Sequence, residues 1–182
     1  MFGLLGSAGS GKSLQGQTLA QKYGWRWLSV GELLRGQHNA ELEKIMLQGG
    51  LVDDELVVRL MHAAMAEAEA KGQAVVLDGY PRDEWQAQWL VEQGDAQKLR
   101  GMIVLRVSDD ELWRRLEERG RADDTRESIE KRWQIFRNTI ARMRNILSEA
   151  GVAFVEVDGE GAIETVTKRI EVVLKDWELI KE

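Results

Sequence analysis

Short apolar runs alternate along this chain with longer stretches in which apolar residues recur every third or fourth position. Phe2 to Leu5 is a short buried-strand pattern. "AVVLD" at 74–78 is β-branched and apolar, bounded by Gly72 and Gly79, and predicts a central strand. "GMIVLRV" at 101–107 and "VAFVEV" at 152–157 predict two more, and Trp25 to Ser29 a fifth. Between them the period lengthens. Lys12 to Tyr23, 39–48, 53–71 and 161–178 read as helices, the third rich in Ala, Glu, Leu and Met. "SDDE" at 108–111 fits a capping box, Ser108 as cap and Glu111 three later, for a helix running to about Arg119. Ile129, Trp133, Phe136, Ile140, Met143 and Leu147 mark one face of a long amphipathic helix. Strand–helix alternation of this kind predicts an α/β fold, a five-stranded parallel sheet with helices on both faces. Residues from about 30 to 60 carry helical patterns and no strand, and are expected to form an insertion.

A chain of 182 residues suits a single domain with a real core. The net charge of −6 gives no reason to expect a nucleic-acid surface. Cysteine is absent, which excludes disulfides and Cys-ligated zinc, and His38 and His62 alone make no usual zinc site. No apolar run approaches the ~20 residues that span a bilayer. The start, MFGLLGSAGS, lacks a basic segment leading into a long apolar one. A cytoplasmic protein without a membrane partner is expected.

Gly6, Gly11, Lys12 and Ser13 fit G-x-x-x-x-G-K-[ST] between a strand and a helix. Glycines let the backbone wrap an anion with its N–H groups inward, and the helix N-terminus adds positive potential. Lys12 is placed to reach terminal phosphates, and Ser13 to offer a hydroxyl to Mg²⁺. The bland alternative is a glycine-rich turn with a solvated lysine. The loop points to a nucleoside triphosphate without saying what is done with it.

"LDGYPRDEWQ" at 77–86 is the second informative stretch. Asp78 closes a central strand, where ligands bind in such sheets, and is suited to hold Mg²⁺ through water or simply to cap a turn. Pro81 is the lone proline, making Tyr80–Pro81 a candidate cis bond. Arg82 offers a two-pronged phosphate clamp. Gln86, one turn on, is suited to a base edge.

"DGYPR" followed by Gln86 resembles the signature of the nucleoside monophosphate kinases, the adenylate kinase family, in a branch with a very short lid. The phosphate loop fits as well. "LSVGELLR" at 28–35, "GLVDDELV" at 50–57, "RRLEERGRADD" at 114–124, "IEKRW" at 129–133 and "VEVDGEGAIETV" at 155–166 are similar to further family segments, in order along nearly the whole chain. The resemblance implies a P-loop NTPase-type single kinase domain. Its core would be 1–29, 61–118 and 125–182, with an NMP-binding insertion at about 30–60 and a minimal lid at about 119–124. It implies reversible transfer of the γ-phosphoryl of Mg·ATP to a nucleoside monophosphate, most readily AMP, by a monomeric enzyme that needs no side-chain nucleophile.

It assigns ATP to Gly6, Ala8, Gly9, Ser10, Gly11, Lys12, Ser13, Leu14, Arg115, Arg119 and Gly161, with Arg115 stacking on the base. It assigns the acceptor to Val30, Arg35, Gly50, Leu51, Val52, Gly79, Arg82, Gln86, Arg121 and Arg132. Lys12, Arg82, Arg119, Arg121 and Arg132 would act on the transferred group, and Ser13 and Asp78 would hold Mg²⁺, partly through water. Each arginine has a plainer reading as a surface ion pair; Arg115 has Glu111 and Glu118 at helix spacing.

Three departures stand out. Val30 occupies the family's base-reading threonine, which opens the pocket to CMP, UMP or a broad set of acceptors. Arg119-Gly120 runs straight into Arg121-Ala122-Asp123-Asp124, so the lid is stunted, and some ATP hydrolysis is expected. Gly11-Lys12-Ser13-Leu14 replaces the family's G-K-G-T, with little expected harm. Rival readings are a kinase for a small non-nucleotide acceptor, a nucleotide-dependent binding module or switch (although N-K-x-D is absent), and a degraded kinase that binds without transfer.

Overall fold

Strand β1 (Phe2–Leu5) lies at the centre of the sheet, flanked by β3 (Val75–Asp78) and β4 (Gly101–Arg106); β2 (Arg26–Ser29) and β5 (Ala153–Asp158) form the edges. All four pairings are parallel, in the order β2-β3-β1-β4-β5. The structure is a computed structural model and describes residues 1–48, 52–120 and 124–181.

The strands' two-residue period divides the core. Leu5, Val75, Leu77, Met102 and Val104 face one layer, and Phe2, Leu4, Val76, Ile103 and Leu105 face the other. On the second side lie helices α1 (Lys12–Tyr23) and α8 (Ile163–Asp176), through Leu19, Val166, Ile170 and Leu174. On the first lie α2 (Val30–Arg35), α4 (Asp54–Ala70), α5 (Glu84–Glu92) and the C-terminal half of α7 (Arg126–Glu149). Helix α3 (Ala40–Leu47) buries no residue fully and packs Leu42, Ile45 and Met46 against that layer. A short 3₁₀ turn, Ala96–Lys98, precedes β4, and α6 (Asp109–Arg119) follows it. The expected elements form with ends shifted by one or two residues. The described part of the region after β2 carries helices and short turns and contains no strand.

The chain leaves β1 toward the α1/α8 layer and leaves β3 toward the α5 layer. The carboxyl ends of these neighbouring strands therefore part, and a crevice opens where open α/β sheets bind ligands.

Caps show which local signals hold. Asn39, Asp53, Asp83 and Thr125 each accept a backbone N–H at the start of α3, α4, α5 and α7. The capping box expected at Ser108 does not form: its side chain caps nothing in α6. Its N–H instead donates to Glu160 Oε1 at 2.9 Å, and Glu111 is drawn away by Arg114 and Arg115. A carboxylate from the β5–α8 loop and two arginines outcompete the local signal.

Candidate active site

The phosphate loop turns from β1 into α1 at the mouth of the crevice. Gly9 sits at φ +89, and a Cβ there would lie 2.8 Å from the Leu112 carbonyl oxygen, so the loop accepts only glycine at this point. Lys12 reaches back to the Ser7 carbonyl at 3.4 Å. Across from it the Tyr80–Pro81 bond is cis, as the lone proline suggested. Arg82 donates from Nε to the Gly79 carbonyl at 2.9 Å.

These groups line a cleft of about 180 Å³ together with Ser13, Arg35, Asp78, Gly79, Arg119 and Arg132, and with apolar Met46, Ile135 and Phe136. Among the described lining residues, five are cations (Lys12, Arg35, Arg82, Arg119, Arg132) and one, Asp78, is an acid. Such a concentration costs free energy unless an anion joins it. Its effect is visible on Lys12, whose pKa falls to about 8: burial is the main cause, Arg82, Arg119 and Arg132 push the same way, and Asp78 opposes them. Burial likewise lowers Arg82, with Asp78 opposing and Arg132 and Arg35 adding to the fall.

Asp78 is 2% exposed, and neither carboxylate oxygen has a hydrogen-bond partner among the described residues. Buried carboxylates without partners are costly, and this one faces the same cleft as the Ser13 hydroxyl. Two oxygen donors beside a phosphate loop suit Mg²⁺, a hard cation that keeps several of its waters. No described group of three or more His, Cys, Asp or Glu residues is arranged to hold a metal.

The arginines at the α6–α7 junction are already organised. Arg119 grips Asp124 with two bonds, 2.7 and 2.6 Å, and Arg132 donates to the same carboxylate at 2.8 Å. The Asp124 side chain is 3% exposed. Burial would raise its pKa, but the two guanidiniums outweigh burial and hold it below the ordinary value. Asp124 belongs to the R-x-D-D segment read from the sequence, yet its role as the joint between two arginines emerges only in three dimensions. On the opposite wall, Arg35 is paired with Glu32.

Other expected residues sit apart from the cleft. Gln86 and Val30 are each 1% exposed and do not line it. Gln86 accepts from the Arg82 N–H at 2.9 Å and donates to Asp54 at 2.7 Å, so both ends of its amide are occupied. Val52 is buried in the α4–α5 layer. Arg115 takes the ion pair with Glu111 (2.7 Å) and also donates to the Ser10 and Gly159 carbonyls. That places it between the phosphate loop and the loop holding Gly161. Leu14 is half exposed on α1, and Trp85 on α5 is exposed and does not line the cleft. Gly50, Leu51 and Arg121 lie outside the described residues. Trp133, expected as core, is buried, but its indole N–H also donates to the Ala8 carbonyl of the phosphate loop at 2.9 Å.

Comparison with known proteins agrees with this architecture. The family model described as adenylate kinase matches residues 4–152. The chain is 34% identical over 178 residues to the adenylate kinase of Synechococcus sp. (strain WH7803), covering 93% of this chain and 96% of the relative. It is 35% identical over 187 residues to that of Maricaulis maris (strain MCS10), covering 95% and 97%, and 34% identical to that of Prochlorococcus marinus (strain MIT 9211) over 93% and 94%. A sheet ordered 2-3-1-4-5, a phosphate loop at the end of its central strand and a similarity running the length of the chain lead to one conclusion: this protein is a member of the adenylate kinase family.

Proposed function

We propose that this adenylate kinase uses AMP as its preferred acceptor, in Mg·ATP + AMP ⇌ 2 ADP, and that a single chain carries out the reaction in the cytoplasm. The observation that carries the reading is the ring of Lys12, Arg35, Arg82, Arg119 and Arg132 around one cleft. Two polyanions repel each other, and five cations offset that repulsion while fixing where each phosphate sits. Phosphoryl transfer asks the protein mainly for positioning and electrostatic stabilisation.

In this reading the phosphate loop holds the donor's β- and γ-phosphates through its N–H groups and Lys12. Arg35 and Arg82 hold the acceptor phosphate on the opposite side. Arg119 and Arg132, kept at a fixed separation by Asp124, meet the charge that spreads over the transferred group. Ser13 and Asp78 are the residues that would hold Mg²⁺, which when bound neutralises phosphate charge. The helices at about 30–60 form the acceptor-binding insertion, Arg121 joins the arginines of a minimal lid, and Gly50 to Val52 line the acceptor. Arg115 and Gly161 flank the donor base. For Gln86 to read the acceptor base, its amide must exchange Asp54 or the Arg82 N–H for the base edge. That exchange belongs to the acceptor-bound state.

Val30 favours a second reading. It is buried and offers no hydroxyl, and the loss of one hydrogen bond is worth about 1 kcal/mol, a few-fold in affinity. CMP or UMP then becomes a competent acceptor beside AMP. Diphosphate formation with Mg·ATP and AMP, CMP, UMP or GMP, with a control lacking acceptor, tests both readings. Turnover fastest with AMP supports the first, and equal turnover of several acceptors supports the second. A rate independent of acceptor refutes both.

A further inference from the structure

A phosphate loop works as an anion cradle only if its carbonyls are held away from the space its N–H groups enclose. Four carbonyls of this loop have described donors. Ser7 accepts from the Ser10 N–H (3.1 Å) and from Lys12, and Gly11 accepts from the Gln15 N–H (2.9 Å); these donors are local. The other two come from far along the chain: Ser10 accepts from Arg115 on α6 at 3.3 Å, and Ala8 accepts from Trp133 on α7 at 2.9 Å.

We propose that Trp133 is a positioning residue for the donor site, holding the Ala8–Gly9 peptide in the orientation that binds phosphate. The proposal rests on the reading of this loop as the ATP site. In a planar trans peptide, C=O and N–H point in opposite directions. Fixing the Ala8 oxygen outward on Trp133 therefore fixes the Gly9 N–H toward the other side of that peptide. The restraint is needed because both Gly9 (φ +89) and Gly11 (φ +87) occupy conformations only glycine takes readily. A glycine flanking a peptide lowers the cost of turning that peptide over, and a turned peptide would aim a carbonyl at the phosphates.

The indole itself has little freedom. Trp133 is 5% exposed, within a cluster of Leu112, Leu116 and Ile129 that Ala8 also joins. Its ring lies 5.0 Å from that of Trp113, and the Arg137 guanidinium stands over it at 5.7 Å. The residue immediately before it in the chain is Arg132, in the cleft. One turn of α7 thus sets both the loop that takes the donor and an arginine facing the transferred group.

The test is steady-state kinetics of the full chain, of Trp133→Phe, and of a variant in which β-(3-benzothienyl)alanine replaces Trp133, keeping the bicyclic shape and losing only the N–H. Inorganic tripolyphosphate serves as a competitor that carries the phosphates without a base. A neutral hydrogen bond is worth roughly three- to tenfold in affinity. Both variants are expected to raise KM for ATP and Ki for tripolyphosphate together by about that factor, with kcat and the acceptor KM unchanged within about twofold. The benzothienyl variant is expected to keep the parent's melting temperature. Unchanged donor constants in that variant overturn the proposal. So does a fall in kcat and melting temperature accompanied by a rise in both KM values, which marks a role in folding alone. Failure of the parent chain to use ATP or bind tripolyphosphate instead overturns the reading of the loop.

Discussion

Lys12, which we propose binds the donor phosphates, is expected to make donor use sensitive to pH in a range where most lysines are indifferent. Its pKa is lowered to about 8 by burial and by Arg82, Arg119 and Arg132, with Asp78 partly offsetting them. Only the ammonium form attracts a phosphate. At about pH 7 roughly nine-tenths of the free protein carries that charge, and at about pH 9 roughly one-tenth does. Since kcat/KM reports the free enzyme, kcat/KM for ATP should fall about tenfold over that interval, with its midpoint near 8. Once the polyanion is bound, its negative charge raises Lys12 again, so kcat at saturating ATP should hold steady through the same interval. The assay is initial rates at constant ionic strength, with saturating acceptor and ATP varied at each pH. Lys12→Arg is the control: a guanidinium does not titrate there, so its residual kcat/KM should show no break near 8. A flat kcat/KM in the parent through about pH 9, or the same break in Lys12→Arg, would refute the reasoning.

Arg82→Lys should raise KM for the acceptor by about ten- to a hundredfold, the range for one charge-assisted hydrogen bond, and leave KM for ATP within about twofold; equal effects on both would contradict a separate acceptor seat. Asp124→Asn should cost about 2 kcal/mol in urea unfolding at neutral pH, since it weakens charge-assisted bonds from two arginines. Because the folded-state pKa of Asp124 is depressed, its contribution is complete above the ordinary value of 3.8 and is lost as pH falls toward the folded value. A parent–variant difference unchanged on acidification would count against this. Asp83 is the opposite case, raised to about 6 by burial and by the facing Asp54, with the Gln86 N–H opposing. Its stabilising contribution is complete below the ordinary 3.8 and is lost as pH rises through about 6. Asp83→Asn should therefore gain stability over the parent between about pH 5 and pH 8; an identical difference at both ends would refute the assignment.

The parts of the site legible in the chain were those whose chemistry is local. Gly6 to Ser13 announce an anion cradle because its donors are consecutive backbone groups, and "DGYPR" places an acid and an arginine at one strand end. The five strands were legible because a parallel sheet covered on both faces demands unbroken apolar runs. Relations between distant residues were not legible. Nothing in the spacing of Gln86 and Asp54 says that one will bond the other, nor that Asp124 will join Arg119 to Arg132. Trp133 fell on an apolar stripe and was read as core; its N–H finds the Ala8 carbonyl only because α7 crosses the phosphate loop. At Ser108 a clear local signal lost to Glu160, which the fold brings 52 positions back along the chain.

Donor and acceptor are proposed to occupy one cationic cleft together, so that the phosphoryl group passes directly between them. Initial rates with Mg·ATP and AMP both varied test it most directly. Direct transfer gives double-reciprocal lines that intersect, and no phosphate on the protein after incubation with Mg·ATP in the absence of acceptor. Parallel lines, accompanied by phosphate carried on the protein, would overturn direct transfer.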